Sequence, residues 1–530
     1  MRRQSVAAAA AILLTLANVI AGVDARAVAG PARAIVANDE AKRAGALQVG
    51  FALDLYHQLA GDQATGNLFF SPYSIYVALA MTAEGARSET ADEMGRVLHL
   101  PAEDRRKGAE ARVRPWDFTR VHAGLGQIAA ELQRGTGEAP EVEARLRWLP
   151  TALAAANEAA KQAVARADWA EAKARGRLAD SLATEMDTLT APVKRYEIRV
   201  ANALWGDTGF RFAADYARTL GLHYGTEGVR AVDFQHAPDG ARREINDWVA
   251  AQTNQRIHEL LSPEQVTSAT RLVLANAAWF KGEWAVTFDP RSTRDLPFHT
   301  AVGAAARVPL MARWGMGGAR YGAFRGDGST FPTPREVPTS SPEDEDDPSL
   351  YPPTGGFQLV ELPYKGGEIA MVVLLPRLPG DLRALEARLD DARFRKWLGA
   401  LEMRAINVFL PRFHIEQGAE MSAPLQALGM RRAFTDPANV RAAQFEGMAA
   451  DAGDAKSLFV GAVAHKAFLD VHEKGTEAAA ATAVEIKATA LRQAPTRKFV
   501  PTLRADRPFL FLIRDVRSGA ILFMGRFERP

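Results

Sequence analysis

The stretch Glu473-Lys474-Gly475-Thr476-Glu477-Ala478-Ala479-Ala480-Ala481-Thr482-Ala483-Val484-Glu485-Ile486-Lys487 decides how this sequence is read. Four consecutive alanines ordinarily signal a helix. Two features argue against one here. The segment leaves a strand-like run, Phe459 to Val471, through a glycine, and Val484 to Ala488 alternates apolar and charged residues with period two. As a strand, it places Thr476, Ala478, Ala480, Thr482, Val484, Ile486 and Ala488 on one small, apolar face. Glu477, Glu485 and Lys487 fall on the other. Such a segment suits two states, exposed in one and a half-buried strand in the other, because small side chains enter a packed sheet with little steric resistance.

Around it the chain mixes strands and helices. Phe357 to Leu362 and Ile369 to Leu375 read as a β-hairpin turned by Lys365-Gly366-Gly367-Glu368. Ile406 to Ile415, Phe509 to Ile513 and Ala520 to Phe527 are further strand candidates. Leu47, Phe51, Leu55 and Leu59 recur at helical spacing. Ser71-Pro72 opens a second helix with a cap and a first-turn proline, and Thr90 to Leu98 reads as a third. The lack of regular βαβ alternation predicts an α+β fold. Two segments stand apart by composition. Residues 103–195 are rich in Ala, Arg, Glu and Lys and read as solvent-facing inserted helices. Residues 325–356 are Pro-rich and acidic, through Glu343-Asp344-Glu345-Asp346-Asp347, and read as a disordered surface loop.

The chain has 530 residues, no cysteine and a formal net charge of +2. Disulfides and thiolate chemistry are excluded, and near-neutrality gives no electrostatic argument for a nucleic acid or anionic membrane partner. Arg2 and Arg3 precede an apolar run from Val6 to Ile20, with a small-residue cleavage pattern at Val23-Asp24-Ala25. A signal peptide over 1–25 and hence export, extracellular or periplasmic, are expected, followed by a flexible lead-in over 26–44. The run is too short for a comfortable membrane span.

No Gly-x-Ser-x-Gly elbow, His-Glu-x-x-His, Walker loop or strand-linked Gly-x-Gly-x-x-Gly occurs. No His and carboxylate cluster suggests a metal. His465 reads as a buried structural histidine, and Ser71 and Ser74 as capping residues; a hydrolase built on Ser71 and His465 is the enzyme alternative. The basic cluster Arg105, Arg106, Lys107, Arg112 and Arg114 is interspersed with acids and reads as a solvated face.

Glu473 to Ala481 resembles the proximal hinge of the reactive-centre loop of serpins, a large family of serine-protease inhibitors. Other stretches resemble the family in the family's order: Asn67 to Ile75; Ile245-Asn246-Asp247-Trp248-Val249 with Thr253, Ile257 and Leu260-Leu261; Leu272 to Trp284; Leu410-Pro411-Arg412-Phe413; Pro508 to Phe511; and Leu522 to Arg526. The resemblance covers about 45–530 outside the two insertions. It implies a serpin fold: a large central mixed sheet, smaller sheets, about nine helices, and a reactive-centre loop over about 473–505. It also implies a non-catalytic, secreted suicide inhibitor, expected to be a monomer without cofactor or metal. Glu473, Gly475, Thr476 and Glu477 match the hinge, and Ala478, Ala479, Ala480 and Ala481 the small-residue run of inhibitory members. Ser71, Ser74, Asn276 and His465 match the shutter, and Trp284 the breach where insertion begins. Family spacing from Gly475 sets the scissile bond at Thr489-Ala490, which suits an elastase-like or subtilisin-like protease. The loop is several residues longer than in a typical member. If the extra length precedes the cut, the bond becomes Arg492-Gln493 and the target trypsin-like. A non-inhibitory serpin, acting as a binding module or chaperone, is the alternative function.

Overall fold

Leu272–Glu283 is a nearly uninterrupted run of buried residues, as expected for a strand covered on both faces. In the computed structural model it lies within a six-stranded sheet. The model describes residues 39–476 and 496–530, apart from 64, 134–139, 191–195, 226–228, 301–304, 339–347, 437 and 452–457. The sheet runs in the order Phe413–Glu420, Ala462–Val471, Leu272–Glu283, Tyr196–Asp207, Val229–Val232, with Gly475–Thr476 added at one end of Leu272–Glu283. It is mixed. Leu272–Glu283 is antiparallel to Tyr196–Asp207 but parallel to Ala462–Val471, in register from Val273 with Ala462 to Trp279 with Phe468.

One face of this sheet packs Ala275, Ala277 and Trp279 against Ile245 and Val249 of the helix Pro238–Gln252. The opposite residues of the strand, Leu274, Asn276, Ala278 and Phe280, are also buried. Towards that interior runs the helix Pro72–Gly85, buried along nearly its whole length. An eight-stranded sheet contains the expected hairpin, Phe357–Pro363 with Ile369–Pro376, beside the closing pair Phe509–Asp515 and Ile521–Phe527. A four-stranded sheet joins Thr502–Arg504, Ile406–Pro411, Ala305–Met316 and Arg294–His299.

Several expectations need correction. The run Ile406 to Ile415 is two strands in two sheets, broken at Arg412, whose N–H turns to the Pro309 carbonyl. The strand expected from Phe459 begins at Ala462. The first helix spans Asp39–Asp62, so the expected lead-in over 26–44 overlaps it; Ala41 and Ala44 are buried and Arg43 pairs with Asp104. Within 103–195, the helix Thr119–Gln133 is not solvent-facing: Val121, Leu125, Ile128 and Leu132 are buried. Only the later helices, Pro140–Ala165 and Trp169–Thr190, form a separate hairpin, with a small core of Leu149, Ala156, Ala179 and Leu182. They are two of eleven α-helices among the described residues. The acidic segment 325–356 is ordered at both ends, with strands at Thr330–Phe331 and Glu336–Pro338 and with Leu350 and Tyr351 buried.

Candidate functional site: a polar seam and a hinge on one strand

Two clusters lie along Leu272–Glu283. The first sits at its middle. Asn276 and His465 are directly opposed across the parallel seam, and both are buried. The Ser71 N–H donates to His465 Nε2 at 3.0 Å, so the network assigns the imidazole proton to Nδ1, which donates to Asn276 Oδ1 at 2.5 Å. Asn276 Nδ2 donates to Asn202 Oδ1 at 2.5 Å, which also accepts from Ser74 Oγ at 3.0 Å. Asn202 Nδ2 returns a bond to the Ser74 carbonyl at 3.1 Å. Burial pulls the His465 pKa down to about 3, so the ring is neutral. A second proton, on Nε2, would face the Ser71 N–H and break the chain.

Local sequence explains the placement. Ser71 is the N-cap of Pro72–Gly85, with Pro72 in the first turn; its Oγ accepts from the Ser74 N–H and donates to the Leu522 carbonyl at 2.7 Å. The helix N-terminus is thereby pinned under the sheet. Ser71 Oγ is not bonded to His465; the histidine holds its backbone instead. The two residues therefore lack the nucleophile and base arrangement that the enzyme alternative requires.

The second cluster closes the end of the strand. His472 to Gly475 makes a tight turn, with His472 N–H to the Gly475 carbonyl at 2.8 Å and Gly475 N–H to the His472 carbonyl at 3.0 Å. Gly475 then pairs with Glu283, and Thr476 with Gly282, antiparallel. The Gly475 φ is +149°, and a Cβ there would lie 2.0 Å from the Gly282 carbonyl oxygen. Only glycine fits so close a backbone approach. Trp284 holds the turn through its Nε1–H to the His472 carbonyl at 3.0 Å and its N–H to the Lys474 carbonyl at 2.9 Å. Its ring stacks on Tyr364, with centroids 4.5 Å apart. The buried Glu473 carboxylate accepts from Arg412 and, at 2.6 Å, from Thr293 Oγ1. Burial raises its pKa, but the Arg412 and Thr293 bonds outweigh this and hold it below the usual range.

Ser71, Ser74, Asn276 and His465 thus come together, as do Trp284, Glu473 and Gly475. Glu477, Ala478, Ala479, Ala480, Ala481, Thr489, Ala490, Arg492 and Gln493 lie outside the described residues. Sequence reasoning missed Asn202, Arg412, Thr293 and Tyr364. Asn202 carried a usable signal, a polar residue within the otherwise apolar Val200-Ala201-Asn202-Ala203-Leu204-Trp205. Among the described residues no group of three or more His, Cys, Asp or Glu is placed to hold a metal, and no helix is long and apolar enough to cross a membrane.

Comparison with known proteins bears on this arrangement. A family model described as Serpin (serine protease inhibitor) matches residues 46–327 and 344–530. An uncharacterised serpin-like protein of Thermococcus kodakarensis is 32% identical over 481 residues, covering 91% of this chain and 84% of its own. The leukocyte elastase inhibitor of Equus caballus is 30% identical over 487 residues, covering 91% and 97%. Among solved structures, uncleaved ovalbumin superposes with a TM-score of 0.62 at 23% identity, over 92% of this chain and 99% of its own. Human thyroxine-binding globulin does so with a TM-score of 0.64 at 22%, over 93% and 99%. The structural likenesses establish the fold. The family match over most of the chain, with relatives of this identity and coverage, establishes the rest: the chain belongs to the serpin family, a family of protease inhibitors rather than catalysts.

Proposed function

We infer that this protein is an exported suicide inhibitor of serine proteases, with elastase-like or subtilisin-like enzymes as its targets. The observation that carries the reading is the hinge. Gly475 and Thr476 are already paired antiparallel with the end of Leu272–Glu283, beside a seam between two parallel strands. An antiparallel strand entering that seam would pair with both neighbours.

Continued at the same register, Ala478 would oppose Phe280, Ala480 would oppose Ala278, Thr482 Asn276, Val484 Leu274 and Ile486 Leu272. All five strand residues are buried. Directly opposed residues share a face, so the small, apolar face of the bait segment would meet the interior. Glu477 would oppose Lys281. The one mismatch is Glu485, set opposite buried Val273 near the far end.

On this reading the protease serine attacks the Thr489 carbonyl, the Ala490 amine leaves, and an ester joins Thr489 to the enzyme. The upstream arm then zips into the seam, breaking the Asn276 and His465 contact. A strand of ~16 residues at ~3.3 Å each spans roughly 50 Å, which carries the enzyme along the length of the sheet. A ~1 Å distortion of the catalytic geometry slows deacylation ~100-fold. The names of the leukocyte elastase inhibitor relatives agree with a small residue before the cut.

The test is to mix the purified protein with elastase-like, subtilisin-like and trypsin-like proteases and map the products by denaturing gel and mass. A denaturation-resistant adduct and a released fragment beginning at Ala490 are expected. Clean cleavage by every protease with no adduct would replace inhibition with a binding role.

A further inference from the structure

The loop downstream of the bait residues does not run free into the sheet that receives it. Thr496–Lys498 pairs antiparallel with Glu336–Pro338, in register from Thr496 with Pro338 to Lys498 with Glu336. The Phe499 N–H continues the ladder to the Arg335 carbonyl at 2.9 Å, and Thr496 Oγ1 donates to Glu336 at 2.8 Å. Val337, Leu350 and Tyr351 close over Phe499, and all four are buried. The Tyr351 hydroxyl accepts from the Thr502 N–H at 3.2 Å. Arg404 Nη2 ties the two chains together by donating to the Pro334 carbonyl at 2.7 Å and the Phe499 carbonyl at 3.2 Å. Both arms of the Pro-rich, acidic insertion therefore grip the same few loop residues. The gripping strand falls within 328–343, between the two stretches that the serpin family model matches.

We propose that Glu336–Pro338, with Leu350 and Tyr351, is a clamp on the downstream end of the bait loop, and that by fixing Thr496–Phe499 it selects Thr489-Ala490 over Arg492-Gln493 as the bond presented to a protease. The proposal rests on the inhibitory reading above. The clamp takes the extra loop length out of play after the cut rather than before it. Between the Thr489-Ala490 bond and the first clamped residue, Thr496, the chain has residues 490–495 for a protease to bind. A cut after Arg492 would leave only 493–495, pulled against the clamp and the body. Released, 496–501 would lengthen the free arm and bring Arg492 within reach. The clamp also fixes what stays behind: the cut loop's downstream piece remains on the body while the upstream arm moves.

Limited digestion of the full chain with a trypsin-like protease, followed by intact-mass mapping, tests the clamp directly. In the unmodified protein the bonds after Arg497 and Lys498 should survive while the loop over 477–495 is cut. V337D puts a carboxylate into the Phe499 cluster and should speed cleavage after Arg497 and Lys498 by ~10-fold or more, since cleavage follows the open population. It should also shift the trapped bond towards Arg492 and lower the adduct yield. E336C with K498C gives the opposite test. These residues form a non-hydrogen-bonded pair, with Cα atoms about 4.5 Å apart, within disulfide span, and the chain holds no other cysteine. The oxidised pair should keep the wild-type cleavage map and adduct yield. Ready cleavage after Arg497 or Lys498 in the unmodified protein would overturn the clamp. So would loss of adduct in the oxidised pair where the unmodified protein forms one. Failure of the unmodified protein to form any adduct, with Arg497 and Lys498 still protected, would overturn the inhibitory reading and leave the clamp standing.

Discussion

The two ends of the segment read as the bait loop differ in what holds them. Upstream, Gly475 and Thr476 pair with the last residues of one strand, and the turn before them is held by hydrogen bonds to Trp284, Arg412 and Thr293. Downstream, Phe499 is enclosed by apolar side chains from a separate segment, and Thr502–Arg504 runs parallel to Ile406–Pro411 inside a sheet. Hydrogen bonds can be exchanged one for one with an incoming backbone. Packed hydrocarbon has no such substitute. On the proposed insertion the contrast sets a direction: the chain beyond Thr476 would extend the pairing already begun at Gly475, while Thr496–Arg504 would stay packed on the body.

The largest expected effect comes from blocking the proposed insertion of the upstream end. Ala480→Arg would set a charge opposite buried Ala278. An unpaired buried charge costs about 3–5 kcal/mol, so cleavage should persist while adduct yield falls ~100-fold or more, read on denaturing gels. An undiminished adduct would mean the arm does not enter this seam.

Next is the seam. His465→Ala strands the Ser71 N–H and removes the donor to Asn276. Leaving two buried polar groups unpaired costs about 2–5 kcal/mol, read as faster thermal unfolding and faster spontaneous loss of inhibition. A variant indistinguishable from wild type would show that the network carries no weight.

Acid sharpens the comparison between the two upstream clusters. The folded pKa of His465 lies far below the unfolded value near 6.5. Its stabilisation is therefore full above pH 6.5 and lost as pH falls towards about 3. Between pH 7 and 5.5 this is about 1 kcal/mol, visible as a falling melting temperature that His465→Gln flattens. The Glu473 carboxyl, also depressed in the fold, adds its loss only below the ordinary carboxylate range. A His465→Gln profile with the same slope would assign the acid sensitivity elsewhere.

The smallest effect is expected at the hinge salt bridge. Arg412→Ala breaks its pairing with Glu473, but half of the Arg412 side chain is solvent-exposed. About 1 kcal/mol is expected, seen as faster proteolysis at the hinge. A change as large as that of His465→Ala would reverse the ranking of the two clusters.

What the sequence disclosed and what it hid follow from range. Ser71, His465 and Gly475 were legible from local pattern, a cap before a proline, a histidine in a strand-like run and a glycine after a strand, whereas Asn276 and Trp284 were reached only through the resemblance of Leu272 to Trp284 to the family. The hairpin from Phe357 to Pro376 was legible from its period and turn. Arg412 was quoted only as part of a strand motif, since its partner is distant in the chain and comes within reach only after two sheets have formed. The insertion over 325–356 misled for another reason. Its proline and acid content dominates any compositional reading, whereas the apolar part of its order comes from only three side chains, Val337, Leu350 and Tyr351. Three apolar residues in a polar segment are a weak signal until Phe499 arrives to meet them. The first helix was placed late because its opening residues, Asp39 to Ala44, pack through alanines and Arg43 rather than through large hydrophobic side chains.

The polar seam through Asn202, Asn276, His465 and Ser71 has a practical consequence. If the proposed insertion opens this joint once, each molecule has a fixed chance per hour of opening it with no protease present. Stocks of this protein should age by first-order decay, faster in warmth and mild acid, even when every chain was folded correctly at the start. The meaningful figure for its durability is then a half-life at a stated temperature rather than a melting point. On the proposed mechanism, substitutions that lengthen that half-life by strengthening the seam are expected to slow trapping as well.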